Sequence, residues 1–327
     1  MYKNYFGISR NPFDLTPDPA CFVPTSRHNE ALAALYYGVR QHKGVIVVTG
    51  EVGTGKTLLL RCLLRLLKES RDISYAYLFN CRLTSTELLY YTLSDFGLPV
   101  SDSNKGKLLL DLSKFVTSRG LAGQTTVLII DEAHHLSSEL LEEIRLLSNL
   151  ETNDEKLLQI VLVGQPELDE KLDSYELRPL KQRIALRAHL GALSPKEVKK
   201  YIDERMRIAG LDPTAKAVFS DAAILKVFRY SKGLPRLINT ICENSLITCY
   251  ARSLPVVPPE VVTEVANDFH LADASFEDAD DAIEDLEGDA PNNLLLELYA
   301  KLQQPVGKLE PIEMQAETHV RDHEPNL

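Results

Sequence analysis

An α/β domain built on a doubly wound parallel sheet, followed by an all-helical domain, is the fold this sequence predicts, on three observations. Short, continuously apolar runs alternate with helix-like stretches up to about residue 190. The strand-like runs then stop, and four helix signatures follow in close succession. The remainder, from residue 271, is strongly acidic.

Taken in order, the first strand is expected at 45–49, where Val-Ile-Val-Val-Thr is β-branched and lacks polar alternation. A helix follows at 56–69. The second strand is expected at 75–79, then a helix at 84–96 opened by a Thr84-x-x-Glu87 capping box. The third strand, 127–130, leads into a helix at 139–150, and the fourth strand covers 160–163. A fifth strand, 185–190, closes the nucleotide-binding-size unit at residues 1–191. Past Gly191, Ser194-Pro195-x-Glu197 supplies an N-cap, a first-turn proline and an N3 glutamate for a helix through Ala209. Further helices are expected at 220–231, stopped by Gly233, at 235–251, and after Pro258-Pro259. Residues 192–270 therefore read as a small helical domain. The run from 273 to 289 is acidic and poor in large apolar residues, as a solvated linker is. Beyond it, Leu294, Leu295, Leu296, Leu298, Tyr299 and Leu302 define one short amphipathic helix near 293–303, either folded back onto the body or docked on a partner.

Composition narrows the class. The 327 residues are 44% hydrophobic, with 16 Gly and 17 Pro and no short repeat, which excludes collagenous and low-complexity chains. Apolar runs fall far short of the roughly 18 residues of a membrane helix, and the first residues lack a basic-then-apolar export signal, so a soluble, cytoplasmic protein is expected. Five scattered cysteines without a C-x-x-C spacing point to reduced, buried thiols. The net charge of −11 is localised: residues from Leu271 onward carry −12, and the first 270 carry +1. Whole-chain acidity thus says little about what the body binds.

Two motifs carry chemistry. Gly50-Glu51-Val52-Gly53-Thr54-Gly55-Lys56-Thr57 fits G-x-x-x-x-G-K-[ST] and sits directly after a strand and before a helix. Glycines let successive N–H groups wrap a phosphate, a lysine reaches the β/γ oxygens, and the threonine hydroxyl ligates Mg²⁺. The expected phosphate-binding set runs from Gly50 through Leu58. About 75 residues on, Val127-Leu128-Ile129-Ile130 ends in Asp131-Glu132. There Asp131 is expected to hold Mg²⁺ and Glu132 to polarise the attacking water. His134 and His135 follow, with surface or structural roles expected because neighbouring histidines diverge on a helix.

These residues carry a resemblance. Together with Tyr5-Phe6-Gly7, Asn11-Pro12-Phe13, Pro17-Asp18-Pro19, Val163-Gly164-Gln165-Pro166-Glu167-Leu168, Gln182-Arg183-Ile184 and Gly233-Leu234-Pro235-Arg236-Leu237-Ile238-Asn239, they make residues 1–270 similar to AAA+ ATPases of the general secretion pathway protein A (ExeA) type, close to the transposition-regulator ATPases. The resemblance implies a P-loop AAA+ module with a helical lid. It implies that Gln165 occupies the sensor-1 position, usually a shorter Asn, Ser or Thr, and that Arg236 is sensor 2, contacting phosphates from the lid. Asn80 matches the residue that restrains the catalytic Glu until a partner binds, or else an Asx-turn or N-cap. Phe13 is placed either over the adenine or as packing on the sheet. Arg183, ahead of Arg178, is the expected arginine finger reaching a neighbouring subunit.

Members of the secretion type often continue through a transmembrane helix into a peptidoglycan-binding domain, patterns not seen after residue 270. The implied function is ATP hydrolysis, with ATP and Mg²⁺, by a homo-oligomer that drives or regulates an envelope machine (secretion, pilus or polysaccharide export). A protein partner in that assembly is expected, with peripheral attachment at the inner membrane through it. A DNA-associated ATP switch stands second, since the acidic 271–327 stretch offers no basic recognition surface. The intact Lys56, Asp131 and Glu132 set argues against a scaffold without turnover.

Overall fold

The structure is a computed structural model that describes residues 2–79, 81–100 and 104–273. Asn80 and the helix expected at 293–303 lie outside the described residues. After a short helix, α1 (Tyr2–Tyr5), and an irregular segment, the chain forms α2 (Ser26–Arg40), β1 (Val45–Gly50), α3 (Lys56–Lys68), β2 (Ile73–Leu78), α4 (Ser85–Asp95) and α5 (Lys105–Leu121). Next come β3 (Thr125–Ile130), α6 (Ser138–Leu147), β4 (Leu158–Gly164), α7 (Glu167–Leu172), α8 (Arg178–Lys181) and β5 (Ile184–Leu190). The helical domain is α9 (Pro195–Ile208), α10 (Asp221–Ser231), α11 (Pro235–Ala251) and α12 (Pro259–Asp268).

The five strands form one parallel sheet in the order β2-β3-β4-β1-β5. Because successive strand side chains point to opposite faces, β1 contributes Val45 and Val47 to one core and Ile46 and Val48 to the other. The first face packs under α4, α5 and α6 through Leu88, Leu112 and Ile144. The second packs under α2 and α3 through Leu35 and Leu63. Helices on both faces explain why β1, β3 and β4 are apolar without alternation. At one edge of the sheet, β5 alternates between half-buried and exposed residues up to the buried Leu190.

A third core joins α9–α12 and also takes in Phe6, Ile8, Phe13 and Val23 from the chain's opening segment. The sequence reading groups the whole segment before α2 with the nucleotide-binding unit; Phe22 joins the sheet core, while residues 6–13 and Val23 pack with the helical domain. Arg205 of α9 ties it there, its buried guanidinium donating to the carbonyls of Pro12 (2.5 Å), Cys21 (3.2 Å) and Asp14 (3.3 Å). Among the described residues no helix is long and apolar enough to cross a membrane. All five cysteines are buried and free.

Candidate nucleotide site

At the carboxyl ends of the parallel strands, β1 stops at Gly50 and α3 begins at Lys56, leaving Glu51–Gly55 as a tight loop. The loop needs glycine where its backbone turns left-handed: φ is 87° at Gly53 and 102° at Gly55. A Cβ on Gly53 would stand 2.9 Å from Cβ of Arg236, and one on Gly55 would stand 3.0 Å from Nε2 of His28. Glu51 and Val52 are exposed on the outer side. Thr54 is wholly buried and donates its hydroxyl to the Glu51 carbonyl at 2.8 Å, and Leu58 packs against the core below α3. Lys56 is buried, and its ammonium donates to the carbonyls of Gly50 (2.6 Å) and Glu51 (2.9 Å). Burial pulls its pKa down, opposed by the nearby carboxylates of Glu132 and Asp131.

The end of β3 faces this loop. Asp131 is buried, accepts from the Tyr77 phenol at 3.0 Å, and lies 3.4 Å from the Thr57 hydroxyl. Burial raises its pKa, against hydrogen bonds from the Glu132 N–H and Tyr77. Thr57, Asp131 and Tyr77 form an oxygen-only group beside a lysine, the donor chemistry a hard divalent cation takes. Glu132 turns left-handed at φ 53°, which swings its half-exposed carboxylate to 3.4 Å from Nδ1 of His134. His134 in turn meets Gln165 at the end of β4, with 2.9 Å between its Nε2 and the Gln165 side-chain nitrogen and 3.3 Å between its Nδ1 and the Gln165 backbone nitrogen. Lys171 holds the same turn through the His134 and Leu136 carbonyls.

His134 is therefore buried and joins Glu132 to Gln165, while His135 is exposed. Glu132, His134 and His135 also bring three ligand atoms within 4.8 Å of one another. Motif reading misses Tyr77, His134 as a link, and His28. The only signal for Tyr77 is its place near the end of a strand beside the Asp131 strand.

The lid closes over the loop at one point. Arg236, exposed in the first turn of α11, donates its N–H to the Gly53 carbonyl at 3.2 Å. Phe13 requires a correction. Its ring is fully buried against Phe219, with centroids 5.9 Å apart, inside the helical core. A ring so enclosed neither stacks on a base nor packs on the sheet, because it lies within the core of α9–α12. Arg183 lies just before β5 at the opposite end of the sheet from the loop. Its guanidinium donates to the Arg145 carbonyl (3.2 Å), Ser148 Oγ (3.0 Å) and Asn149 Oδ1 at the end of α6. Arg178 is exposed over the Tyr175 ring.

Residues 39–172 match the AAA domain family. The chain is 44% identical over 253 residues to general secretion pathway protein A of Aeromonas hydrophila, covering 77% of this chain and 45% of that protein. It is 28% identical over 195 residues to the ATP-dependent target DNA activator B of Escherichia phage Mu, covering 57% of each. The chain thus spans about half the length of the curated relatives it matches. Among solved structures, the ORC2 protein of Aeropyrum pernix in its ADPNP and ADP complexes aligns with a TM-score of 0.60 at 18% identity, over 83% of this chain and 74% of that one. The Holliday junction branch migration motor RuvB of Thermotoga maritima aligns at 0.52 and 18% identity, over 86% and 82%. With its phosphate loop, five parallel strands in this order and a helical lid touching the loop, the chain has the AAA+ fold, carries an AAA domain over 39–172 and is similar to general secretion pathway protein A.

Proposed function

We propose that the protein binds ATP with Mg²⁺ and hydrolyses it to ADP and phosphate, and that it drives or regulates an envelope machine as a homo-oligomer. The observation that carries the hydrolytic reading is the convergence of Lys56, Thr57, Asp131 and Glu132 at the strand ends. In this reading the N–H groups of Gly53–Thr57 and the Lys56 ammonium hold the β- and γ-phosphates. Thr57 and Asp131 hold Mg²⁺, which when bound neutralises charge on the phosphate oxygens. Glu132 orients water and takes its proton, and His134 and Gln165 fix where that carboxylate rests until it does so. Arg236 brings the lid onto the phosphates, and Arg183 serves a neighbouring subunit.

The envelope role rests on the similarity to general secretion pathway protein A. So do the protein partner in that assembly and a cytoplasmic position, peripheral at the inner membrane through that partner. A DNA-associated ATP switch is the second reading, favoured by the similarity to the phage Mu target DNA activator.

Two variants separate binding from hydrolysis. Lys56→Ala removes the cation facing the phosphates and is expected to lose ATP binding by calorimetry. Glu132→Gln keeps the metal group and is expected to bind ATP as wild type does while losing turnover. Equal ATP affinity of the two variants would overturn these roles.

A further inference from the structure

His28 opens α2 far from either nucleotide motif in sequence, yet its imidazole is buried against the back of the phosphate loop. Nε2 lies 2.9 Å from the Thr54 carbonyl oxygen, and Nδ1 lies 2.7 Å from the Thr25 hydroxyl. A carbonyl only accepts, so Nε2 carries the proton, and Nδ1 then accepts from Thr25. The tautomer is set by these two partners. The Phe22 ring closes one side, edge to face at 5.9 Å, and burial lowers the pKa of His28, which keeps the ring neutral.

In a planar trans peptide the C=O and the following N–H point in opposite directions. With its carbonyl drawn outward onto His28, the Thr54–Gly55 peptide turns the Gly55 N–H toward the concave side of the loop. Gly55 itself is left-handed at φ 102°, and a Cβ there would meet the imidazole at 3.0 Å, so ring and loop are fitted to each other with no slack.

We propose that His28 is a positioning residue for the phosphate site, holding the Thr54–Gly55 peptide so that the Gly55 N–H faces the bound phosphate. It acts through the loop and never touches the nucleotide. This inference rests on the nucleotide reading of the loop.

The test compares two amides in the full-length chain. The glutamine amide nitrogen falls where Nε2 of histidine lies, whereas that of asparagine falls nearer Nδ1. His28→Gln is therefore expected to keep the bond to Thr54 and bind ATP within about twofold of wild type. His28→Asn loses that bond and should bind about tenfold more weakly, the effect of one buried hydrogen bond. Without nucleotide, amide hydrogen exchange in a peptide spanning 50–57 should be faster in His28→Asn and unchanged in His28→Gln. A purely structural role would lower the melting temperature of His28→Asn and leave the affinity of its folded fraction as wild type, and that result overturns the proposal. So does a glutamine variant as weak as the asparagine one. If His28→Asn fails to fold, Thr25→Val takes its place, keeping the ring but removing the hydroxyl that donates to Nδ1 and anchors it, with the same direction expected. Wild-type protein that fails to bind ATP sinks the nucleotide reading, and the exchange comparison then decides the role of His28 by itself.

Discussion

Glu132, His134 and Gln165 form a chain from the candidate base to the end of the fourth strand. The Gln165 side-chain nitrogen meets Nε2 of His134 at 2.9 Å, and its backbone nitrogen lies 3.3 Å from Nδ1. Because His134 lies 3.4 Å from the Glu132 carboxylate, any movement of Gln165 is felt at the base through one imidazole. Gln165→Asn is expected to sever that link while leaving the loop, Lys56 and Asp131 in place. Turnover should fall by about tenfold, as for the loss of one hydrogen bond, with ATP affinity unchanged. Steady-state kinetics set beside calorimetry checks it, and a loss confined to affinity would sink the link. At this scale the motif residues are legible because phosphate and metal chemistry demands fixed residue types at fixed spacing. His28 and Tyr77 are not, because each serves the site from an element whose proximity depends on the packed fold.

At the scale of elements, β1, β3 and β4 are legible because strands covered on both faces carry continuous apolar runs, with polar residues confined to their ends. The second strand is read two residues late. Its observed end at Leu78 leaves Phe79 67% exposed, an aromatic that extends the apolar run without joining the core. Five helices are absent from the sequence reading: the short α1, α7 and α8, and the longer α2 and α5. In α5 only Leu108, Leu112 and Val116 are buried, a stripe one residue wide, and the exposed Leu109, Leu110 and Leu121 blur its period. The capping boxes of α4 and α9 fall where Thr84-x-x-Glu87 and Ser194-x-x-Glu197 place them, since each is a local bargain between a hydroxyl and an N3 carboxylate. The docking of the opening segment on α9 has no such local signal. It depends on Arg205, whose three carbonyl acceptors come from residues more than 180 positions away. Arg205→Met preserves much of the packing and removes the donors. Leaving those buried carbonyls unpaired is expected to cost about 2–4 kcal/mol of stability. Chemical denaturation should show the loss, and proteolysis should open the segment before α2 first. A variant as stable as wild type would mean that the apolar contacts of Phe6, Ile8 and Phe13, with the hydrogen bonds of Tyr2 and Asn11 to Glu243 and of Ser9 and Arg10 to the end of α9, hold the segment without it.

For the whole molecule the outstanding question is whether hydrolysis is completed by a second copy. Arg183 sits beside the start of the edge strand β5, remote from its own phosphate loop, so any contact it makes with a γ-phosphate is with a neighbour's. In the isolated chain its guanidinium is held by the Arg145 carbonyl, Ser148 and Asn149 at the end of α6. Transfer to a phosphate would exchange neutral acceptors for a charged one, a favourable exchange in a site closed to water. Fingers of this kind contribute about 10³–10⁵ in rate, so turnover is expected to rise steeply with protein concentration. Arg183→Ala keeps the Glu132 base, and Glu132→Gln keeps the finger. Each alone should be inactive. When the two mix freely in equal amounts, about a quarter of interfaces join an intact base to an intact finger, and activity should return. Circular dichroism of Arg183→Ala guards against loss of the α6 end as the cause of its inactivity. If crosslinking shows that the variants co-assemble and no activity returns, Arg183 does not act in trans, and the exposed Arg178 over Tyr175 becomes the residue to put through the same mixture.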